Sequence, residues 1–218
     1  MIESLLRRSP VIPVVTIEDA THAVDLARAL ERGGIRIVEI TLRTPAGLAA
    51  IEAVARHVPE VVVGAGTVLS PADLSASAQA GAGFAISPGA TRELLAAARA
   101  SQIPYLPAIA TASELMQGLD AGYQCFKFFP AAALGGAAAL RALVAPFPKV
   151  LFCPTGGVSL DNAGDYLAIR NVPCVGGSWL APAEALRAKD WRRIETLARE
   201  AVDRLSMRAG MPANRRAH

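Results

Sequence analysis

The sequence predicts an α/β protein built as a single (β/α)8 barrel. Short, β-branched apolar runs alternate with alanine-rich helical stretches at intervals of about 20 to 25 residues, the alternation expected of a parallel sheet. Eight such pairs follow one another, and 218 residues suit one large domain. Hydrophobic residues make up 52% of the chain, which is enough to fill a sizeable core.

Turn and capping residues define the first four pairs. Strands are predicted over residues 11–16, 35–42, 61–66 and 84–87, and helices over 19–30, 45–57, 70–80 and 91–101. Asp19 caps the first helix, Pro45 starts the second and Ser70 opens the third. A short N-terminal helical extension precedes the first strand.

The second four pairs continue the same pattern. Strands are predicted over residues 105–109, 125–128, 150–154 and 174–177, and helices over 111–121, 136–144, 160–168 and 181–206. An open, doubly wound sheet of eight strands is the alternative fold. It should carry a GxGxxG turn after its first strand, where this chain reads IEDATHA, so the barrel is favoured.

Composition and motifs also limit where the protein is expected to act and what it is expected to bind. Residues 1–206 are predicted to form the barrel and residues 207–218 a basic, disordered tail that does not bind nucleic acid. No apolar run is long enough to span a membrane, so we expect a cytoplasmic protein. No HExxH motif or Cys/His cluster occurs in the sequence, so no metal is implied.

Polar and charged residues alternate along the predicted second strand. Glu39, Thr41 and Arg43 share one face. Because barrel active sites lie at the carboxyl ends of the strands, this face places a carboxylate, a hydroxyl and a guanidinium at the predicted site. An internal ion pair between Glu39 and Arg43 is the structural alternative, although two inward-facing charges are costly without a task.

Lys127 stands within the aromatic run FKFFP on the predicted sixth strand. A snorkelling lysine that keeps its ammonium in water is one interpretation. Alternation instead places Lys127 on one face with Phe129, and Phe126 and Phe128 on the other. If the aromatic face packs under helices, Lys127 points inward as a Schiff-base nucleophile, with Glu39 as general acid and base. Phe129 then shields the amine from water.

Paired glycines follow the seventh and eighth strands, in PTGG and GGSW. Such loops let backbone N–H groups approach an anion, and a helix N-terminus that follows adds a favourable dipole. Either pair alone could simply form a tight turn. Two such loops on adjacent strands indicate a phosphate site, which barrels often have there. The exits of the third and fourth strands, GAGT and SPG, add small groups to the mouth.

Six segments, in order, resemble the 2-dehydro-3-deoxy-6-phosphogluconate (KDPG) aldolases, class I enzymes that also act on 4-hydroxy-2-oxoglutarate. They are VEITLRT, VGAGTVL, FAISPG, FKFFPA, FCPTGG and GGSW, and the similarity runs from residue 10 to residue 205. The resemblance implies a homotrimeric (β/α)8 barrel that reacts through a Schiff base without a cofactor.

The resemblance also implies a role for each matching residue. Lys127 is similar to the Schiff-base lysine, and Glu39 to the general acid and base. Arg43 is similar to the residue at the carboxylate end of the substrate, and Thr67 and Pro88 line the same pocket. The residues assigned to the phosphate end or its loops are Thr155, Gly156, Gly157, Gly177 and Ser178, with Phe129 beside the lysine.

The implied reaction is the Entner–Doudoroff step, in which KDPG is cleaved to pyruvate and D-glyceraldehyde 3-phosphate. A phosphorylated keto-deoxy sugar acid is then the expected partner. An aldolase acting mainly on 4-hydroxy-2-oxoglutarate, giving pyruvate and glyoxylate, is the alternative, and a non-catalytic barrel that binds a phosphorylated metabolite is a remote one. Two departures, Ala108 for the usual glycine and Ala132 for the usual glutamate, bear on substrate breadth and turnover.

Overall fold

An α/β fold with a curled parallel sheet is present in the computed structural model, which describes residues 2–206. The strands are β1 (Val11–Val15), β2 (Ile37–Thr41), β3 (Val62–Gly66), β4 (Ala85–Ile86), β5 (Tyr105–Leu106), β6 (Ala108–Ile109), β7 (Cys125–Phe128), β8 (Leu151–Pro154) and β9 (Val175–Gly177). The predicted tail, residues 207–218, lies outside the described residues.

The helices alternate with the strands, as the sequence predicts. They are α1 (Ile2–Leu6), α2 (Ala23–Arg32), α3 (Gly47–His57), α4 (Pro71–Gln79), α5 (Arg92–Ala100), α6 (Ala112–Asp120), α7 (Gly136–Val144), α8 (Ala163–Leu167), α9 (Ala183–Arg187) and α10 (Trp191–Leu205). A 3-10 turn, Ala20–His22, precedes α2. No helix within residues 2–206 is long and apolar enough to cross a membrane.

The strands pair in two parallel groups. One group runs in the order β5-β4-β3-β2-β1-β9 and the other in the order β6-β7-β8. A parallel bridge between Thr155 and Gly176 joins the groups where β8 ends beside β9. At the other side, β5 and β6 are consecutive in the chain. The sheet is therefore curled, and the end of β8 in one group lies beside β9 in the other.

Pro107 divides the predicted fifth strand into β5 and β6. The half before it pairs with β4, and the half after it pairs with β7. Proline has no N–H to donate to a ladder, so a continuous strand is interrupted at this position. Its carbonyl still accepts a hydrogen bond of 2.9 Å from the Lys127 N–H, which holds β7 in register. The eight predicted strands are thus nine in the described chain.

The predicted final helix, residues 181–206, is also two helices. The break contains Lys189, whose φ of 55° lies in the left-handed region and cannot continue a helix. The carboxylate of Asp190 then accepts a hydrogen bond from the Arg193 N–H and begins α10. The predicted cap at Ser70 is confirmed, because Ser70 and Asp73 form a reciprocal capping box at the start of α4.

Candidate active site

Lys127 and Glu39 form a buried pair inside the curled sheet. The Lys127 Nζ lies 3.1 Å from the Glu39 Oε1, and the two side chains are only 5% and 3% exposed. Lys127 comes from β7 and Glu39 from β2. A buried pair of charges pays a large desolvation cost, so such pairs are typical of sites where the charges have a chemical use. Glu39 pairs with Lys127, not with Arg43.

Packing of the aromatic neighbours explains why Lys127 points inward. Phe126 is fully buried, and its ring lies 2.3 Å from the position that a Cβ on Gly118 of α6 would occupy. Phe128 is also buried and stands in register with Ile109. The aromatic face of β7 therefore packs outward, and the alternation of the strand turns Lys127 to the interior. The snorkelling interpretation is wrong.

Phe129 lies just beyond β7 and covers the amine. The Lys127 Nζ is 5.3 Å from the centroid of the Phe129 ring, within the range of a cation–π contact. The segment that follows is tied to the loop after β8, since the N–H of Ala131 donates to the carbonyl of Thr155 and the N–H of Ala132 to that of Gly156. The departure at Ala132 thus lies in a loop that frames the cavity.

A cavity of about 630 Å³ opens at the carboxyl ends of β1, β8 and β9. Its lining contains seven of the predicted site residues: Arg43, Phe129, Thr155, Gly156, Gly157, Gly177 and Ser178. Arg43 is the one charged side chain among the described lining residues. The lining is therefore suited to an anionic ligand, and Phe129 connects it to the buried amine.

Three predicted site residues lie elsewhere than the sequence pattern suggested. β2 ends at Thr41, so Arg43 is an exposed residue of the following turn and does not share a strand face with Glu39. The reason is that Leu42, not Arg43, donates the last hydrogen bond to β3, at the Gly66 carbonyl. Thr67 and Pro88 follow β3 and β4 and are half-buried, but neither lines the cavity.

The glycine loops differ from the prediction in one respect. Gly156 and Gly157 have φ values of 94° and 71°, which glycine adopts without strain. However, α8 begins at Ala163 and α9 at Ala183, each several residues after its glycine pair. No helix N-terminus directly follows either loop in the described chain, although the first residue of α9, Ala183, lines the cavity.

Thr16 and Trp179 are two of the lining residues that the sequence prediction missed. The Thr16 hydroxyl lies at the end of β1, 2.9 Å from the Thr41 hydroxyl. Its position just after the first strand could have identified it, because site residues are expected at the carboxyl ends of strands. Trp179 packs its ring against Gly177, where an added Cβ would lie 1.7 Å from the ring. It belongs to the GGSW motif, although only contact distances identify the tryptophan as part of the wall.

Three buried cysteines lie on or near the strand that carries Lys127. Cys153 stands in register with Lys127, and its Sγ is 3.7 Å from the Cys174 Sγ. Burial raises the pKa of the Cys174 thiol well above its usual value and that of Cys125 to about 11. Protonated thiols are poor nucleophiles and poor metal ligands. No cluster of three or more potential metal-ligating side chains occurs within residues 2–206.

Sequence comparisons identify related proteins. Residues 2–197 match the family model for KDPG and KHG aldolase. The chain is 55% identical over 201 residues to the KHG/KDPG aldolase of Escherichia coli K12, covering 92% of this chain and 94% of that protein. It is 54% identical over 200 residues to the 2-dehydro-3-deoxy-phosphogluconate aldolase of Dickeya dadantii, covering 92% and 94%.

Solved structures give the same result. The fold is similar to a Legionella pneumophila KDPG aldolase with pyruvate captured as a covalent carbinolamine, with a TM-score of 0.90, 48% identity and coverage of 91% of this chain and 97% of that one. It is also similar to the Zymomonas mobilis 2-keto-3-deoxy-6-phosphogluconate aldolase with 3-phosphoglycerate, with a TM-score of 0.89, 45% identity and coverage of 92% and 94%.

Proposed function

The chain belongs to the KDPG and KHG aldolase family, and from this premise we propose that it is a class I aldolase that cleaves KDPG to pyruvate and D-glyceraldehyde 3-phosphate. The observation that carries the proposal is the buried pair of Lys127 and Glu39, 3.1 Å apart behind a cavity suited to an anion. The pair provides an amine nucleophile and a carboxylate that can transfer protons, both buried away from bulk water.

Lys127 performs the covalent chemistry. Its neutral amine adds to the C2 ketone of KDPG, and loss of water from the carbinolamine leaves a protonated iminium. When the C4 hydroxyl loses its proton, the C3–C4 bond breaks and its electron pair moves into the iminium, which becomes an enamine. Glyceraldehyde 3-phosphate leaves, the enamine is protonated at C3, and hydrolysis releases pyruvate and the free amine. The sequence of steps needs no cofactor.

Glu39 moves the protons. Its carboxylate oxygen is within hydrogen-bond distance of the Lys127 Nζ, so it can take a proton from the attacking amine and return one to the departing hydroxide. Because Glu39 is 2% exposed, bulk water does not compete for this proton. The low exposure of both groups supports a role for the pair in every step that forms or breaks the carbinolamine.

The cavity lining binds the two anionic ends of the substrate. We assign the phosphate end to Thr155, Gly156, Gly157, Gly177 and Ser178. Arg43 supplies the positive charge of the lining, and a guanidinium binds carboxylate or phosphate through paired hydrogen bonds. By family resemblance Arg43 serves the carboxylate end together with Thr67 and Pro88, which lie outside the cavity lining. Phe129 covers the Schiff-base nitrogen.

Reductive trapping tests the proposal. Incubation with pyruvate and borohydride should add one reduced pyruvyl group to the protein, located by peptide mass spectrometry at Lys127. The other two lysines of the chain, Lys149 and Lys189, are exposed and serve as internal controls. A coupled assay should detect pyruvate released from KDPG. Absence of an adduct at Lys127 would falsify the assignment.

A second substrate is supported by the relative from Escherichia coli, which is a KHG/KDPG aldolase at 55% identity. We infer that 4-hydroxy-2-oxoglutarate is also cleaved at this site, giving pyruvate and glyoxylate. The same lysine chemistry applies because both substrates present a ketone next to a carboxylate. The ratio of kcat/KM for the two substrates identifies the preferred one.

We also propose how the sheet closes, where the domain ends and how many subunits assemble. We infer that the curled sheet is a closed (β/α)8 barrel, supported by the bridge between Thr155 and Gly176 and by the continuity of β5 and β6. In this proposal α1 is the N-terminal extension, residues 1–206 are one domain and 207–218 a tail. A homotrimer is supported by family resemblance, and light scattering tests it. Cytoplasmic location and the lack of nucleic-acid binding stay predictions.

A further inference from the structure

Two glycines of β3 make room for large neighbours inside the sheet. Gly64 and Gly66 point to the same face, because they are two positions apart on one strand. A Cβ on Gly64 would lie 2.3 Å from the ring of Phe84. A Cβ on Gly66 would lie 2.2 Å from the Glu39 Oε1, 2.6 Å from its Cγ and 2.8 Å from its Cδ. The Glu39 carboxylate thus occupies the space of the missing side chain.

The backbone does not require glycine at position 66. Gly66 lies within a regular strand, in register with Thr41, and its φ is outside the left-handed region. Glycine in a strand interior weakens the strand, and it often marks a place where another group approaches closely. At Gly66 the approaching group is a carboxylate that is buried and bonded to Lys127.

We propose that Gly66 is a positioning residue for the aldolase reaction, because its missing side chain lets the Glu39 carboxylate reach the Lys127 amine. This inference rests on the proposed roles of Glu39 and Lys127. The Lys127 Nζ stands 3.1 Å from the Glu39 Oε1. A methyl group at position 66 overlaps three atoms of the Glu39 side chain, so the carboxylate must move, and proton transfer depends on its distance from the amine.

Gly66→Ala tests the proposal, with Gly64→Ala as the matched control. Both variants add one methyl group to the same inward face of β3, but only the methyl at position 66 meets Glu39. Gly66→Ala should lower kcat and the rate of pyruvate trapping about tenfold or more, with KM changed by less than about threefold, since the cavity lining is untouched. Gly64→Ala should lower the melting temperature while kcat stays within about threefold of wild type.

A double-mutant cycle keeps the test decisive if Gly66→Ala also loses stability. Glu39→Ala removes the three atoms that the added methyl group overlaps, Oε1, Cγ and Cδ, and so leaves the space at position 66 open. On that background, where trapping is slower, Gly66→Ala should have no further effect on the trapping rate. Gly64→Ala should combine additively with Glu39→Ala.

The outcomes separate this inference from the proposed function. If the wild-type protein forms no pyruvate adduct at Lys127, the proposed function fails. If it forms the adduct but Gly66→Ala behaves like Gly64→Ala, or lowers the trapping rate equally with Glu39 and with Ala at position 39, the positioning role is refuted and the function stands. A loss of trapping rate that is confined to Gly66→Ala and absent in the Glu39→Ala background supports the role.

Discussion

Glu39 and Lys127 lie 88 positions apart in the chain, yet the Lys127 ammonium donates a hydrogen bond of 3.1 Å to the Glu39 carboxylate. Neither strand that carries them is the neighbour of the other, since β2 pairs with β1 and β3, and β7 with β6 and β8. The contact therefore crosses the interior of the curled sheet, and it depends on the curvature of the whole sheet.

Glu39→Gln should lower kcat by roughly a hundredfold or more, because the amide keeps the shape of the side chain but cannot carry protons. Steady-state assays with KDPG measure the loss, and thermal unfolding checks that the variant is folded. The pyruvate adduct should still form at Lys127, but more slowly. Kinetics equal to wild type would remove Glu39 from the mechanism.

Phe129→Leu should lower kcat about tenfold, because leucine keeps apolar bulk over the amine but has no aromatic face to stabilise the positive iminium. The wild-type ring centroid is 5.3 Å from the Lys127 Nζ. Phe129→Tyr preserves the ring and is the matched control, expected to stay within about threefold of wild type. If both variants lose activity equally, the aromatic face is not what the reaction requires of this residue.

Ser178→Ala should reduce kcat/KM for KDPG about tenfold and leave that for 4-hydroxy-2-oxoglutarate unchanged. Ser178 is exposed in the cavity, and a hydrogen bond to a charged phosphate is worth about 1.5–3 kcal/mol. Ser159→Ala, in the same region but outside the lining, is the control. An equal loss on both substrates would argue against assigning Ser178 to the phosphate end.

The Cys125 thiol should make the free energy of unfolding fall as pH rises above 9. Burial raises its pKa from 9.0 to about 11, so the folded chain keeps a proton that the unfolded chain releases between these values. The stability that this thiol contributes is complete below pH 9 and is lost as pH rises through 11. The loss is at most about 2.7 kcal/mol, because a pKa difference of one between the folded and the unfolded chain corresponds to about 1.36 kcal/mol.

Urea unfolding at several pH values between 8 and 11 measures this effect. Cys125→Ala is the control, and its stability should fall less steeply over the same interval. Tyr123, whose pKa is raised by burial to about 12, adds a similar slope in both proteins and cancels in the comparison. Identical slopes for the wild type and the variant would show that Cys125 does not titrate in this way.

Local signals account for most of the fold. The capping box at Ser70, the glycine turns and the period-two alternation of β7 act over a few residues, so the sequence predicts them well. The interruption at Pro107 also has a local cause, since proline disfavours the interior of a strand. The end of β2 has no such local cause, because the last hydrogen bond depends on where Gly66 lies on the neighbouring strand.

By itself, the sequence determined the α/β class, the order of the units, the inward position of Lys127 and the family. These follow from periodicity, turn chemistry and motifs, which are properties of short segments. Only the tertiary structure decided that Glu39 bonds to Lys127 and not to Arg43, that Arg43 joins the cavity and that Gly66 leaves space for the carboxylate. Each of these depends on distances between strands far apart in the chain, which only the curling of the sheet sets.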